Sequence, residues 1–150
     1  MEVSTVKIAI GADHGGYELK QKVVKFLKEN GYDIIDYGTD SNESCDYNDV
    51  ALDVAHAVRD QKVDRGILMC GTGIGMSIQA NKVDGIRAAH VHDLFSAKAT
   101  RLHNDSNVLC MGGRIIGDEI ACAITDIWLS TEFSNEERHV RRVNKIKQTD

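Results

Sequence analysis

The residues richest in chemical possibility form one short run, Cys70-Gly71-Thr72-Gly73-Ile74-Gly75. Three glycines in five residues let a backbone approach a ligand closely. Amide N–H groups in such a turn, with a helix starting behind them, attract anions. The spacing is G-x-G-x-G, so the dinucleotide fingerprint G-x-G-x-x-G fails, and no Gly-Lys-Ser/Thr follows to make a P-loop. Cys70 opens the turn, where a helix N-terminus would favour a thiolate. A thiolate there could serve as a general base or as a nucleophile. The alternative is a buried structural thiol, a role that suits Cys110 and Cys122.

Other reactive groups stand near it in the pattern. Asp13 and His14 lie in Gly11-Ala12-Asp13-His14-Gly15-Gly16. They could contact a substrate hydroxyl, or Asp13 could simply cap a helix. His103-Asn104-Asp105 reads as a loop after a helix, able to aim side chains into a crevice. Gly112-Gly113-Arg114 follows an apolar run. His90 and His92 share a strand face at i, i+2, as metal-binding histidines do. No third or fourth ligand stands with them, so no metal is expected. Arg138 and Arg142 share a helix face. Residues 136–150 hold five Lys/Arg against three Asp/Glu in an otherwise acidic chain. Guanidinium forks match phosphate oxygens, although most charge runs are solvated faces.

These groups need elements to hold them. Apolar runs at Val6–Ile10, Asp33–Tyr37, Gly66–Cys70, Ile86–Val91 and Asn107–Met111 read as strands. Between them, Gly16–Asn30, Asp46–Gln61, Ile74–Asn81 and Asp93–Leu102 read as helices. Leu19, Val23, Phe26 and Leu27 illustrate the period, at i, i+4, i+7 and i+8. Asp118–Leu129 and a C-terminal helix, about 135–147, complete the series. Apolar strands alternating with amphipathic helices predict a Rossmann-like three-layer αβα sandwich around a five-stranded parallel sheet. Ligands in such folds sit beyond the carboxyl ends of the strands. The strand-end groups and the His103-Asn104-Asp105 segment are expected on that one rim.

The composition fits a single domain spanning 1–150. Lys+Arg 18 against Asp+Glu 23 gives a net charge of −5, which argues against a nucleic-acid binder. No apolar run approaches the ~20 residues of a membrane span. Met1–Ile10 lacks the basic start and apolar core of a signal peptide. The 4 Cys have no paired spacing, so reduced thiols and a cytoplasmic location are expected.

Taken together, Asp13-His14-Gly15, Ser44-Cys45-Asp46-Tyr47, the Cys70–Gly75 run, His103-Asn104-Asp105, Gly112-Gly113-Arg114, Arg138-His139 and Arg142-Val143 resemble type B ribose-5-phosphate isomerases. Galactose-6-phosphate isomerases form the sister branch. The resemblance covers nearly the whole chain. It departs from the family at Asn48, where Pro commonly follows Asp-Tyr, so the Tyr47 loop lacks that ring's preset φ.

The resemblance implies reversible conversion of ribose 5-phosphate to ribulose 5-phosphate, without metal or cofactor. It assigns Cys70 as the base moving a proton between C2 and C1, and His103 as the acid/base that opens the ring. Thr72 would position the thiol or a sugar oxygen. The amides of Gly71, Thr72, Gly73, Ile74 and Gly75 would hold the enediolate. Asp13, His14, Tyr47 and Asn104 would contact the sugar. Arg114, Arg138 and Arg142 would grip the phosphate. It also implies a homodimer or dimer of dimers, with the pocket at the interface and some residues acting across chains. The alternatives are an isomerase of six-carbon phosphosugars, a non-catalytic phosphosugar or nucleotide module, and a thiol redox or acyl-transfer enzyme. The last lacks a C-x-x-C partner.

Overall fold

Five apolar segments pair edge to edge in a computed structural model of the chain, which describes residues 6–150. The leader-free reading of Met1–Ile10 therefore falls partly outside the described residues. The strands are β1 (Lys7–Ala12), β2 (Asp33–Asp36), β3 (Arg65–Cys70), β4 (Ala88–His90) and β5 (Val108–Gly112). Every pairing is parallel and the order is β2-β1-β3-β5-β4. The helices are α1 (Tyr17–Glu29), α2 (Tyr47–Arg59), α3 (Ile74–Ala80), α4 (Leu94–Asn104), α5 (Asp118–Ser130) and α6 (Glu137–Lys147). The expected parallel αβα architecture is the observed one.

Alternation along the strands sorts side chains onto two faces. Ile8, Ile10, Ile67, Met69, Leu109 and Met111 pack with Leu19, Val23 and Leu27 of α1 and Ile124 and Trp128 of α5. Ala9, Leu68 and Cys110 face the other way, onto Val50, Val54 and Val58 of α2 and Met76 and Ala80 of α3. Both faces of the sheet are covered, which is why its strands carry few polar residues.

Strand order reverses between β1 and β3, the place where such sheets open a crevice. The two strand ends are tied there, with the Asp13 N–H donating to the Met69 carbonyl at 3.1 Å. A fully buried lysine steadies the neighbouring loop. Lys20 Nζ reaches both oxygens of Asp36, at 2.9 and 3.0 Å, and the Thr39 carbonyl at 2.6 Å.

Three expected boundaries move. β4 is only Ala88–His90, not 86–91. Before it, the Arg87 N–H donates to the Asn107 side chain at 2.8 Å instead of extending the ladder evenly. α6 starts at Glu137, after Asn135 takes a left-handed φ of 57°. The third change matters most. α4 runs on to Asn104 and is capped by Asp105 at φ 49°. His103 and Asn104 therefore occupy the last helical turn rather than a loop.

Candidate active site

Three turns converge beyond the carboxyl ends of β1, β3 and β5. The contact between the first two is so close that a Cβ on Gly15 would lie 2.8 Å from the Gly71 nitrogen. The third is joined to the second by two backbone bonds. The Gly113 N–H donates to the Cys70 carbonyl at 2.8 Å, and the Arg114 N–H to the Gly71 carbonyl at 3.0 Å.

Cys70 ends β3 and is buried. Its Sγ accepts the Gly73 N–H at 3.0 Å. Gly73 holds φ +80° as the residue before α3, a left-handed conformation that side chains disfavour. The turn thus folds back so that its own amide meets the sulfur. The Ile74 N–H is likewise engaged, by Thr72 Oγ1 at 3.2 Å. Of the five amides expected to face a ligand, those two serve the turn itself. The amides of Gly71, Thr72 and Gly75 have no acceptor among the described residues.

Around this turn stand four of the expected side chains. Asp13 is buried, and its Oδ1 accepts from the Gly15 and Gly16 amides at 2.8 and 3.2 Å. That bond set shapes the turn before α1, but Asp13 is not the expected N-cap: Gly16 holds that position, with no side-chain cap bond. His14 Nδ1 accepts the Cys45 N–H at 3.2 Å. The neutral ring therefore carries its proton on Nε2, free to donate. The Tyr47 ring lies on Gly75, where an added Cβ would come within 2.6 Å of its Cε1. Arg114 is exposed and lays its guanidinium over Gly71, with Nη1 3.1 Å from the Cβ position.

His103, Asn104, Arg138 and Arg142 are not there. α4 leaves the carboxyl rim after β4 and returns to the amino rim, where β5 begins. Its eleven residues put His103 about 15 Å from the Cys70 rim. The expectation of one shared rim is thus corrected by the direction of a helix. At the amino rim the displaced groups form their own cluster. The His103 ring lies 4.6 Å from that of His139 in α6, tilted by 38°. His139 is buried, with Nδ1 2.7 Å from Ser134 Oγ and Nε2 accepting from Arg138 Nε at 3.3 Å. Burial, then the charges of His103 and Arg138, push its pKa down against an upward pull from Glu136. Arg138 also pairs with Glu136 at 3.0 Å.

An apolar groove of about 530 Å³ runs along α4 to His103, lined by Leu94, Phe95, Lys98, Ala99, Leu102 and His103. Phe95 is 82% exposed, and Ile74 and Ile78 of α3 are bare at 49% and 61%.

Sequence reasoning missed the parts played by three residues. Cys45, in a polar loop, orients His14 through its backbone N–H. His90 and His92 bind backbone rather than metal. His90 Nε2 meets the Thr72 carbonyl at 2.7 Å, and His92 Nε2 accepts the Gly112 N–H at 2.9 Å. Only their i, i+2 spacing was visible in advance, and it placed them correctly on one face. Among the described residues no helix is long and apolar enough to cross a membrane.

Comparison with known proteins agrees with this architecture. A family model described as Ribose/Galactose Isomerase matches residues 8–146. Ribose-5-phosphate isomerase B of Escherichia coli is 49% identical over 140 residues, covering 93% of both chains. D-erythrulose-4-phosphate isomerase of Pectobacterium atrosepticum is 48% identical over 129 residues, covering 85% of both. The solved structure of ribose-5-phosphate isomerase B from Clostridium thermocellum superposes with a TM-score of 0.94 at 51% identity, covering 96% of this chain and 97% of that one.

Proposed function

Because this chain belongs to the ribose/galactose isomerase family, we propose that it interconverts ribose 5-phosphate and ribulose 5-phosphate through an enediolate. The observation that carries this is the Cys70 sulfur, buried, amide-bonded and flanked by unpaired N–H groups. Aldose–ketose isomerisation needs a base for a carbon-bound proton and donors for the oxygen that becomes negative. Cys70 as thiolate takes the proton from C2 of the open aldose. The C2–H electrons form the C1–C2 double bond, and the C1 oxygen becomes the enediolate anion. A proton passes from O2 to O1, and the proton held on Cys70, exchanged in part with solvent, is delivered to C1 as the C2–O2 bond becomes the ketone. General acid–base catalysis of this kind typically gives about 10²–10⁴-fold. Each well-placed oxyanion donor is worth roughly 3–4 kcal/mol, which suits the free amides of Gly71, Thr72 and Gly75. Thr72 steadies the turn. No cofactor or metal takes part.

His103 opens the furanose ring, His14, Asp13, Tyr47 and Asn104 hold sugar hydroxyls, and Arg114, Arg138 and Arg142 bind phosphate. One chain cannot assemble this set, since His103 and the α6 arginines lie at the other rim. A second copy can supply them. The bare apolar side chains of Ile74 and Ile78 on α3 and of Leu94 and Phe95 on α4 favour such a homodimer, alone or as half of a dimer of dimers. The chain then acts as one phosphosugar-isomerase domain in pentose phosphate metabolism of the cytoplasm. A relative 48% identical is named for D-erythrulose 4-phosphate, so the four-carbon sugar is a second reading beside six-carbon phosphates.

The deciding assay is proton NMR of ribose 5-phosphate in D₂O with the metal-free enzyme. Ketose carrying deuterium at C1, with part of the original proton retained, is the expected result. A silent spectrum with this sugar, and turnover of a four- or six-carbon phosphate, would move the assignment to that substrate.

A further inference from the structure

Two histidines beside the glycine turn have no task in the isomerase mechanism above. His90 Nε2 lies 2.7 Å from the Thr72 carbonyl oxygen. That oxygen can only accept, so Nε2 carries a proton and donates it. The same peptide group, Thr72–Gly73, presents its N–H to the Cys70 sulfur at 3.0 Å. An unbroken line results: imidazole N–H to carbonyl, then amide N–H to Sγ. The peptide bond is conjugated, so a donor on its oxygen draws density from its nitrogen and strengthens the N–H as a donor. Linked hydrogen bonds strengthen one another by perhaps 10–30% per bond.

We propose that His90 is a positioning residue which, through the Thr72–Gly73 peptide, holds and strengthens the amide hydrogen bond to the Cys70 sulfur. The inference rests on Cys70 being the working base.

The surroundings leave this peptide little freedom. A Cβ on Gly73 would lie 3.0 Å from His90 Cδ2, and one on Gly112 would lie 2.6 Å from the Thr72 carbonyl carbon. The turn is therefore wedged between the His90 ring and the end of β5. His92 sets His90 in place. The two rings meet edge to face, with centroids 4.6 Å apart and planes at 81°. The His92 Nε2 is fixed as an acceptor by the Gly112 N–H at 2.9 Å. The i, i+2 spacing of the pair is explained by this arrangement, because it puts both rings on the face where each meets a backbone group.

The test uses His90→Leu, which removes the donor, and His90→Gln, which keeps an N–H near the Nε2 position. Carbamidomethylation by iodoacetamide is followed at Cys70 by peptide mass spectrometry, with Cys45 and Cys122 as internal references. His90 is exposed on an edge strand, so both variants should fold, and thermal melting verifies it. His90→Leu is expected to slow alkylation of Cys70 about two-fold, the size of a roughly 10–30% weakening of the remaining N–H bond to a charged sulfur. It should lower kcat on ribose 5-phosphate to a similar extent and leave KM nearly unchanged. His90→Gln should recover most of both. Wild-type alkylation in a folded His90→Leu, or equal loss in the Gln variant, overturns the proposal. If the wild-type enzyme turns over no phosphosugar, the functional assignment fails, while the alkylation comparison still decides the role of His90.

Discussion

The imidazoles of His103 and His139 lie 4.6 Å apart at the amino rim of the sheet, a helix length away from the Cys70 sulfur. His139 is pinned by Ser134 and Arg138, so it forms a fixed platform for the more exposed His103 ring. An acid/base so placed can reach a Cys70 turn only on another copy of the chain.

Mixing two dead variants tests that arrangement. In a dimer of Cys70→Ala with His103→Leu, one site carries both lesions and the other carries neither. Random pairing makes half the dimers mixed, so co-refolded variants should recover about a quarter of wild-type activity. Each variant alone should stay near background. No recovery in a demonstrated heterodimer would place both residues in one chain's site.

Cys70→Ala separates chemistry from binding. The thiol is buried and small, so its loss leaves the phosphate contacts intact. Turnover should fall roughly 10²–10⁴-fold, with sugar-phosphate binding by calorimetry nearly unchanged. Near-normal turnover would remove Cys70 from the base role.

Arg142→Ala addresses the phosphate. A lost charge-assisted hydrogen bond is worth about 1.5–3 kcal/mol, so KM should rise roughly ten- to hundred-fold. The effect should vanish with unphosphorylated ribose. An unchanged KM would leave α6 as a solvated surface.

Acid should destabilise the fold. Burial, then the charge of His90, lowers the His92 pKa from its ordinary 6.5, against a weaker pull from Asp93. His139 is lowered too, by burial and then by His103 and Arg138. As pH drops through 6.5 the unfolded chain takes up these protons first. The unfolded state then binds more protons than the native one, so stability declines as pH falls. The loss ends once pH is below the native values. Melting temperature should therefore drop from about pH 7 to pH 5, and His92→Gln should flatten that slope. A flat wild-type profile over this interval would contradict the assignment.

The strands and helices were legible because their apolar periods are regular. Ile8, Ile10, Ile67 and Met69 alternate with residues on the opposite face, and Leu19, Val23 and Leu27 repeat at helical spacing. The three turns that meet at Cys70 were legible too, since glycines and polar groups follow each strand. The place of His103 was not. Its spacing to Asp105 suggests a loop, but the helix runs two residues further, to Asn104, before the left-handed Asp105 ends it. The partners of His90 and His92 were equally invisible, because backbone carbonyls and amides leave no mark on a sequence.

α4 gives the protein a property that a self-contained active site would not have. A rod of eleven residues keeps His103 and the Cys70 thiol of one chain permanently apart. On the shared-site reading, an isolated newly made chain is inert, and catalytic output follows mass action between copies. Dilution below the dissociation constant of the dimer should then silence the enzyme without unfolding it. A damaged subunit would poison the healthy partner it captures at one of their two sites and spare the other.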